Sequence, residues 1–171
     1  MRNAIINLTS AQMICSATVG GIRRACAVQQ ENKNSKHDKS RSDLDIDVDG
    51  AGAECAFAKY LGAFWEMSVN TYKQHDVAGY QVRGTIRRDG RLIVRPNDND
   101  DHEFVLVITA DAPRYRIVGT FKCGDAKVSE FWDGDCWWVP QDRLGDLPAP
   151  LLNGIEVAVD MLGLSMREVS A

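Results

Sequence analysis

The sequence predicts an α/β or α+β fold in which a mixed central β-sheet is flanked by helices. Apolar residues recur at roughly helical spacing early in the chain, over residues 9–29 and 49–61, and again over 151–164. Between these stretches, from residue 79 to residue 139, short runs rich in Val, Ile, Leu and aromatic residues are typical of strands. This order of elements favours one sheet with helices packed against it.

The first helix is predicted to begin at Thr9 or Ser10, because either side chain can cap it. Its Gly20-Gly21 pair predicts a weak point or a break in the middle, since glycine is a poor helix former. Residues 30–42 follow and carry no apolar anchor, so they are predicted to form a polar loop or linker.

The second helix is predicted to begin at Asp49-Gly50 and to end at Leu61. Gly62 then suits a left-handed C-cap, which glycine adopts without steric cost. Glu54 would lie in the first turn of this helix and face away from the residues that look most buried.

The middle of the chain is predicted to supply the strands. In Arg88-Asp-Gly-Arg91 the Asp-Gly pair is a hairpin signal, which predicts that the strands on either side of it pair with each other. A short helix is predicted over residues 125–131. The predicted strands are 79–86, 92–94, 104–108, 115–121 and 136–139.

Length and composition favour a globular protein without a membrane segment. A net charge of −4 argues against a generally basic nucleic-acid coat protein, although not against a local basic patch. The five cysteines are odd in number and widely spaced, so we predict free thiols in a reducing compartment. No membrane span or signal-peptide core is evident, and we predict a cytoplasmic protein with no membrane partner. We divide it into an N-terminal helix and polar linker, 1–45, and a single α/β domain, 46–171.

Four polar side chains around the first predicted strand form a candidate site. Asp76 precedes the strand by a Gly-containing turn, which can bring its carboxylate back beside Gln81. Strand alternation places Gln81 and Arg83 on one face and Val82 in the core. A helix packed on the sheet could add Glu54. Two carboxylates, an amide oxygen and the Val82 carbonyl form a set of hard oxygen ligands suited to Mg²⁺ or Mn²⁺, and Arg83 can stabilise charge on a phosphate.

The order of these residues resembles the PD-(D/E)XK nuclease superfamily. Its restriction-endonuclease-like core has an acidic residue on a helix, then an Asp, then a strand that carries (D/E)-X-K. By position, Glu54 would be the helix acid, Asp76 the motif Asp, and Gln81-Val82-Arg83 would stand in place of Glu-X-Lys. Gln removes one charge from the metal site, and Arg keeps the charge of Lys but cannot readily give up a proton.

The resemblance covers roughly residues 50 to 121 and implies a metal-dependent nuclease that hydrolyses DNA phosphodiester bonds with Mg²⁺ or Mn²⁺. It implies DNA as a partner and, since nucleases of this type often pair, a homodimer. A basic stripe around the candidate strand predicts phosphate contacts, although a solvated, charge-protected hairpin edge explains it equally well. Besides Arg83 itself, the stripe consists of Arg87, Arg88, Arg91 and Arg95. No P-loop or dinucleotide-binding motif is present, so we predict no nucleotide cofactor.

Other interpretations of the same residues stay open at this point. Asp76 and Arg83 could form a surface salt bridge, with Gln81 simply an exposed strand residue. The fold could have lost its activity and bind nucleic acid or a protein through its arginines. The chain could also be a small structural protein of a phage or mobile element. The tryptophans within residues 132–138 could stack on bases, but packing in a core or interface is the prediction.

Overall fold

The structure, a computed structural model, describes residues 3–30, 40–69 and 75–151. Within these ranges two long helices follow one short strand, and the other strands come after them. The elements are β1 (Ala4–Asn7), α1 (Ser10–Gln29), α2 (Asp43–Leu61), β2 (Tyr80–Thr85), β3 (Leu92–Val94), β4 (Glu103–Asp111), β5 (Arg114–Lys122), α3 (Cys123–Ala126) and β6 (Trp137–Val139). Short 3₁₀ turns lie at Ser129–Phe131 and Gln141–Arg143.

Four strands form one mixed sheet in the order β1-β5-β4-β2. β2 runs parallel to β4, whereas β5 is antiparallel to both β4 and β1. β3 and β6 form a separate antiparallel ribbon. The predicted mixed α/β arrangement, with a mixed sheet flanked by helices, is confirmed at this level.

Both faces of the four-stranded sheet are buried. The sequence of β4 shows this, because an unbroken apolar run replaces the alternation of a half-exposed strand. Phe57 of α2 and Val105 of β4 belong to the apolar cluster on one face. Leu92 of β3 and Phe104 of β4 belong to a second cluster on the opposite face. The sheet is therefore a central layer between α2 and the β3–β6 ribbon.

α1 packs along α2 as one continuous helix, so the weak point predicted at Gly20-Gly21 produces no break. Gly20 serves close packing, since a Cβ built there would lie 2.5 Å from Val48 Cα. Thr9 and Gln12 form a capping box at the start of α1, which confirms Thr9 as the cap.

α2 begins at Asp43 rather than at Asp49. The Ser42 hydroxyl accepts a hydrogen bond from the Asp45 backbone N–H at 3.1 Å, and carboxylates in the first turn stabilise a helix N-terminus. Glu54 consequently lies in the middle of α2 and is only 6% exposed. The prediction that it lies in the first turn, facing away from buried residues, is wrong. The domain boundary drawn after residue 45 falls inside this helix.

The hairpin predicted at residues 88–91 is also wrong, although the turn itself is present. Gly90 N donates to Arg87 O at 2.9 Å, yet β2 and β3 do not pair. β2 bonds to β4 instead, and β3 bonds to β6. Leu92 and Val94 are fully buried in the second cluster, so β3 is needed on the opposite face of the sheet.

The structure also bears on the predictions for the first strand, the end of α2 and the cysteines. β1 was not predicted, because four residues at the edge of a sheet give too short a pattern. The left-handed C-cap at Gly62 is confirmed, with a φ of 68°. All five cysteines are free thiols, as predicted. Apart from residue 151, the helix predicted over 151–164 lies outside the described residues. Across the described ranges, we find no helix with the length and apolar character needed to traverse a membrane.

We expect Gly20→Ala to destabilise the protein by about 1 to 3 kcal/mol, because the added methyl group would force α1 away from the backbone of Val48. Gly50→Ala in α2 is the matched control. A Cβ there meets nothing within 4 Å, so the better helix propensity of alanine should stabilise the protein by about 0.5 to 1 kcal/mol. Urea denaturation of both variants measures the difference. Equal effects at the two glycines would contradict the helix packing described above.

Candidate functional site

A tight turn folds the Asp76 carboxylate back onto β2. The turn spans residues 77–80 and needs a φ of 90° at Gly79, a value that glycine adopts readily. Asp76 Oδ2 accepts a hydrogen bond from the Val82 backbone N–H at 2.7 Å. The expected Gly-containing turn is present, and it directs this oxygen to the backbone of Val82.

The Asp76 carboxylate lies at an open edge of the sheet. β2 is the last strand in the sheet order, so one side of its backbone has no neighbouring strand among the residues that the structure describes. The Val82 N–H bonded to Asp76 points to that side, and the N–H and C=O of a strand residue point the same way. The Val82 carbonyl therefore lies on the same edge as the carboxylate.

Glu54 is bound on both carboxylate oxygens by Arg23 of α1. Arg23 Nη1 lies 2.6 Å from Glu54 Oε1, and Nη2 lies 2.7 Å from Oε2. The indole N–H of Trp65 donates to Oε2 at 3.2 Å. Arg23 also donates from Nε and Nη2 to the Ser68 carbonyl, at 3.0 and 2.7 Å. This bidentate geometry is the strong form of a charge-assisted hydrogen bond.

The two carboxylates interact electrostatically. Burial raises the pKa of Asp76, and the negative charge of Glu54 raises it further, to about 6. The Val82 N–H and the charges of Arg83 and Arg23 act in the opposite direction but do not offset the rise. Burial lowers the pKa of the Arg23 guanidinium, while its hydrogen bonds to Glu54 and the nearby negative charges raise it on balance. The site is thus an acidic pair of buried Glu54 and partly buried Asp76, with the Arg23 guanidinium bound to Glu54.

Gln81 and Arg83 lie on the other face of the sheet. Val82 belongs to the cluster on the α2 face, as predicted, so its neighbours point the opposite way. In the β2–β4 register Gln81 pairs with Phe104, a residue of the second cluster, and Gln81 is itself buried. Arg83 lies 4.6 Å from the centre of the Phe104 ring.

The Arg83 guanidinium is bound by Asp98 rather than by Asp76. Nη2 donates to Asp98 Oδ1 at 3.0 Å, and Nε is buried without a hydrogen bond in the part of the chain that the structure describes. The structure therefore brings Glu54 and Asp76 together, while the side chains of Gln81 and Arg83 do not join them. Arg83 influences Asp76 through its charge, which lowers the pKa of that carboxyl.

The arginines of the predicted basic stripe have different environments. Arg87 is exposed and lies 3.7 Å from Asp89, and exposed Arg88 pairs with Asp111. Arg91 is exposed and has no partner among the described residues. Arg95 is largely buried, and burial together with the charge of Arg83 lowers its pKa. Three of these four arginines are thus at the surface.

A cleft lies beside this surface. Its volume is about 820 Å³, and it separates the turn at residues 87–91 from the segment 133–142. Trp138 forms part of its wall, with the indole Nε1 donating to Asp133 at 2.6 Å. Gln141 holds the turn through hydrogen bonds to the carbonyls of Arg88 and Gly90.

The donor set for a metal ion is small. Within the described ranges no three His, Cys, Asp or Glu side chains gather in a metal-binding arrangement. Mg²⁺ is commonly held by one or two carboxylates and keeps several waters, so Asp76 and Glu54 are the carboxylates to consider as its ligands. Asp76 Oδ1 takes part in no hydrogen bond to a described residue, and the Val82 carbonyl lies on the same edge. These are oxygens of the chemical kind that hard cations bind, and so are those of Glu54, both of which are bonded to Arg23.

Sequence reasoning missed Arg23, the residue that contacts Glu54 most closely. Its signal was present but weak: Arg23 and Arg24 are the only charged residues in α1. Charges on an otherwise apolar helix indicate buried partners. The partner could not be named from the sequence, because it lies on another helix, 31 residues away.

Comparisons with known proteins identified no relative of this chain. No protein-family model matches the chain, and no curated protein and no solved structure is significantly similar to it.

We expect Asp76→Asn to stabilise the protein above pH 6 in the absence of divalent metal ions. The folded-state pKa of about 6 exceeds the ordinary 3.8, so ionisation of Asp76 costs the folded state roughly 2 to 3 kcal/mol at neutral pH. Asparagine removes that cost and can still accept the hydrogen bond from Val82. The gain should disappear as the pH falls toward 4, where aspartate is protonated in both states.

Thermal unfolding from pH 4 to pH 8, in the presence of a metal chelator, measures the difference in stability between wild type and Asp76→Asn. Asp101→Asn is the matched control, since it removes the same charge from an exposed loop. A stability difference between wild type and Asp76→Asn that does not change with pH would contradict the described environment of Asp76.

Proposed function

We propose that the protein is a metal-dependent nuclease that hydrolyses DNA phosphodiester bonds at Asp76 and Glu54. The observation that carries this proposal is the electrostatic coupling of buried Glu54 to partly buried Asp76 beside β2, where burial and Glu54 together raise the pKa of Asp76 to about 6. Carboxyl groups with perturbed pKa values beside an accessible edge are typical of functional sites. A divalent cation would favour ionised Asp76 by offsetting that repulsion.

The arrangement also supports a restriction-endonuclease-like core. A helix that carries an acid, Glu54, packs on the sheet, and the edge strand β2 follows Asp76 directly. The order of acid, Asp and strand is that of the resemblance. The Gln81-Val82-Arg83 triplet departs from it, because the side chains of Gln81 and Arg83 point to the opposite face.

In this proposal each residue has a limited role. Asp76 Oδ1 and the Val82 carbonyl would hold the cation, and Glu54 would join them when released by Arg23. A bound Mg²⁺ or Mn²⁺ supplies Lewis-acid activation of water and neutralises phosphate charge. Arg83 keeps Asp76 more acidic through its charge, from its position on Asp98 and Phe104.

We expect the purified protein to nick plasmid DNA or degrade single-stranded DNA in Mg²⁺ or Mn²⁺, and Asp76→Asn to lose this activity at least a hundredfold, about the scale of losing a group essential to the chemistry. Asp101→Asn should retain it. Because Asp76→Asn should be at least as stable as wild type, a loss would not reflect unfolding. Folded wild-type protein that cleaves no DNA with either ion would overturn the proposal.

A second candidate function is a nuclease-like binding module without activity. It is favoured by the Arg23–Glu54 ion pair, which occupies both oxygens of one carboxylate and leaves one fewer ligand for a metal. The binding surface would be the cleft, where Arg91 can contact phosphate and Trp138 can stack on a base.

For this candidate we expect Arg91→Ala and Trp138→Ala each to weaken binding of a fluorescent single-stranded DNA oligonucleotide. The expected loss is about 1 to 3 kcal/mol for the tryptophan, measured by anisotropy, and the Arg91 effect should shrink at high salt. Lys122→Ala removes the same charge at an exposed position outside the cleft and should change little. Equal losses in all three variants would indicate non-specific attraction and exclude the cleft.

A further inference from the structure

The outward face of α1 is apolar and uncovered in the described part of the chain. Ile14 is 67% exposed, Ile22 is 47% exposed and Val28 is 64% exposed. Smaller uncharged residues of α1 are exposed as well, and all but Thr18 are apolar: Ala11, Cys15, Ala17, Thr18 and Ala25.

The outer face of α1 carries no charged side chain. The only charged residues of α1 are Arg23 and Arg24, and both pair with acids of α2: Glu54 and Asp43. A helix that is apolar on its inner and its outer side is normally buried on both. We therefore expect a partner surface to cover the outer face of α1.

The sequence outside the described ranges contains one segment suited to this role. Residues 31–39 are polar throughout, and residues 70–74 contain only one large apolar-bodied side chain, Tyr72. Residues 152–171, in contrast, carry apolar residues at helical spacing, with charged residues along one flank of that apolar stripe. The apolar stripe is Leu152, Ile155, Val159, Leu162, Met166 and Val169, and the charged residues on its flank are Glu156, Asp160 and Arg167. In the same helical projection, Val157, Met161, Leu164 and Glu168 lie away from the stripe.

The last described residue of the chain also lies near the start of α1. Leu151 N donates to the Leu61 carbonyl at 2.7 Å, at the C-terminal end of α2. That end lies beside the start of α1, since Lys59 Nζ donates to Gln12 Oε1 at 3.1 Å and to the Asn7 carbonyl at 2.8 Å. Leu151, the last described residue, therefore lies at the end of α2 that faces the first turn of α1.

The length of α1 matches the length that a helix over residues 152–169 would have. α1 has 20 residues, which corresponds to about 30 Å of helix. A helix over residues 152–169 would span about 27 Å. We infer that residues 152–169 form an amphipathic helix that docks its apolar side on the outer face of α1 and covers Ile14, Ile22 and Val28.

Cys15 reports on this docking, because its thiol is exposed on α1 beside Ile14. In the full chain we expect slow labelling of Cys15 by a maleimide, followed by mass spectrometry of the peptides. Val159→Asp combined with Leu162→Asp should accelerate labelling roughly tenfold or more, since the docked segment would no longer protect the thiol. The matched control, Glu156→Gln combined with Asp160→Asn, changes the charged flank and should leave the rate unchanged.

A substitution on α1 tests the same contact from the other side. Ile14→Asp should raise hydrogen exchange in residues 155–166, whereas Leu44→Asp, at an exposed apolar position on α2, should not. Labelling of wild-type Cys15 as fast as a free thiol would overturn the inference. So would protection that depends on protein concentration and is unaffected by the substitutions at 159 and 162, because a second copy of the chain would then be the cover.

Discussion

The structure depends on one buried ion pair, between Arg23 of α1 and Glu54 of α2. The middle of α2 is packed against the sheet, so the charge of Glu54 must be compensated where it lies. Arg23 does this with two hydrogen bonds and uses further donors on the Ser68 carbonyl, in the segment that follows α2. One guanidinium thus links two helices and the chain that leads toward Asp76. Removing either partner of such a pair typically costs about 3 to 5 kcal/mol, since the other charge is left buried alone.

Strand alternation sets the second constraint. β2 has to place Val82 in the cluster under α2, and a period of two then commits Gln81 and Arg83 to the opposite face. The acidic pair can consequently form only at the edge of β2, where the turn after Asp76 returns its carboxylate to the backbone. This explains why Arg83 interacts with Asp98 and Phe104, and why its effect on Asp76 is electrostatic.

Local patterns were sufficient to predict most of the elements but not their partners. The Thr9 cap, the Gly62 C-cap and the central strands follow from residues adjacent in sequence, and the structure confirms them. The partner of β3 could not be predicted, because the Asp-Gly turn favours a local hairpin while burial of Leu92 favours the distant strand β6. The partner of Glu54 was missed for the same reason: ion pairs between helices leave no periodic signal.

The negative charge of Asp76 is not needed for the hydrogen bond that holds its side chain in place. Its one hydrogen bond to a described residue comes from the Val82 N–H, and the side-chain oxygen of asparagine could accept that bond equally well. Aspartate instead adds a negative charge beside Glu54 in a buried position, which lowers the stability of the folded state at neutral pH. A residue that costs stability and gains no further contact among the described residues is better explained by a function that needs the carboxylate. Binding of a cation would be such a function, because the charge that destabilises the acidic pair is also a charge that attracts a cation.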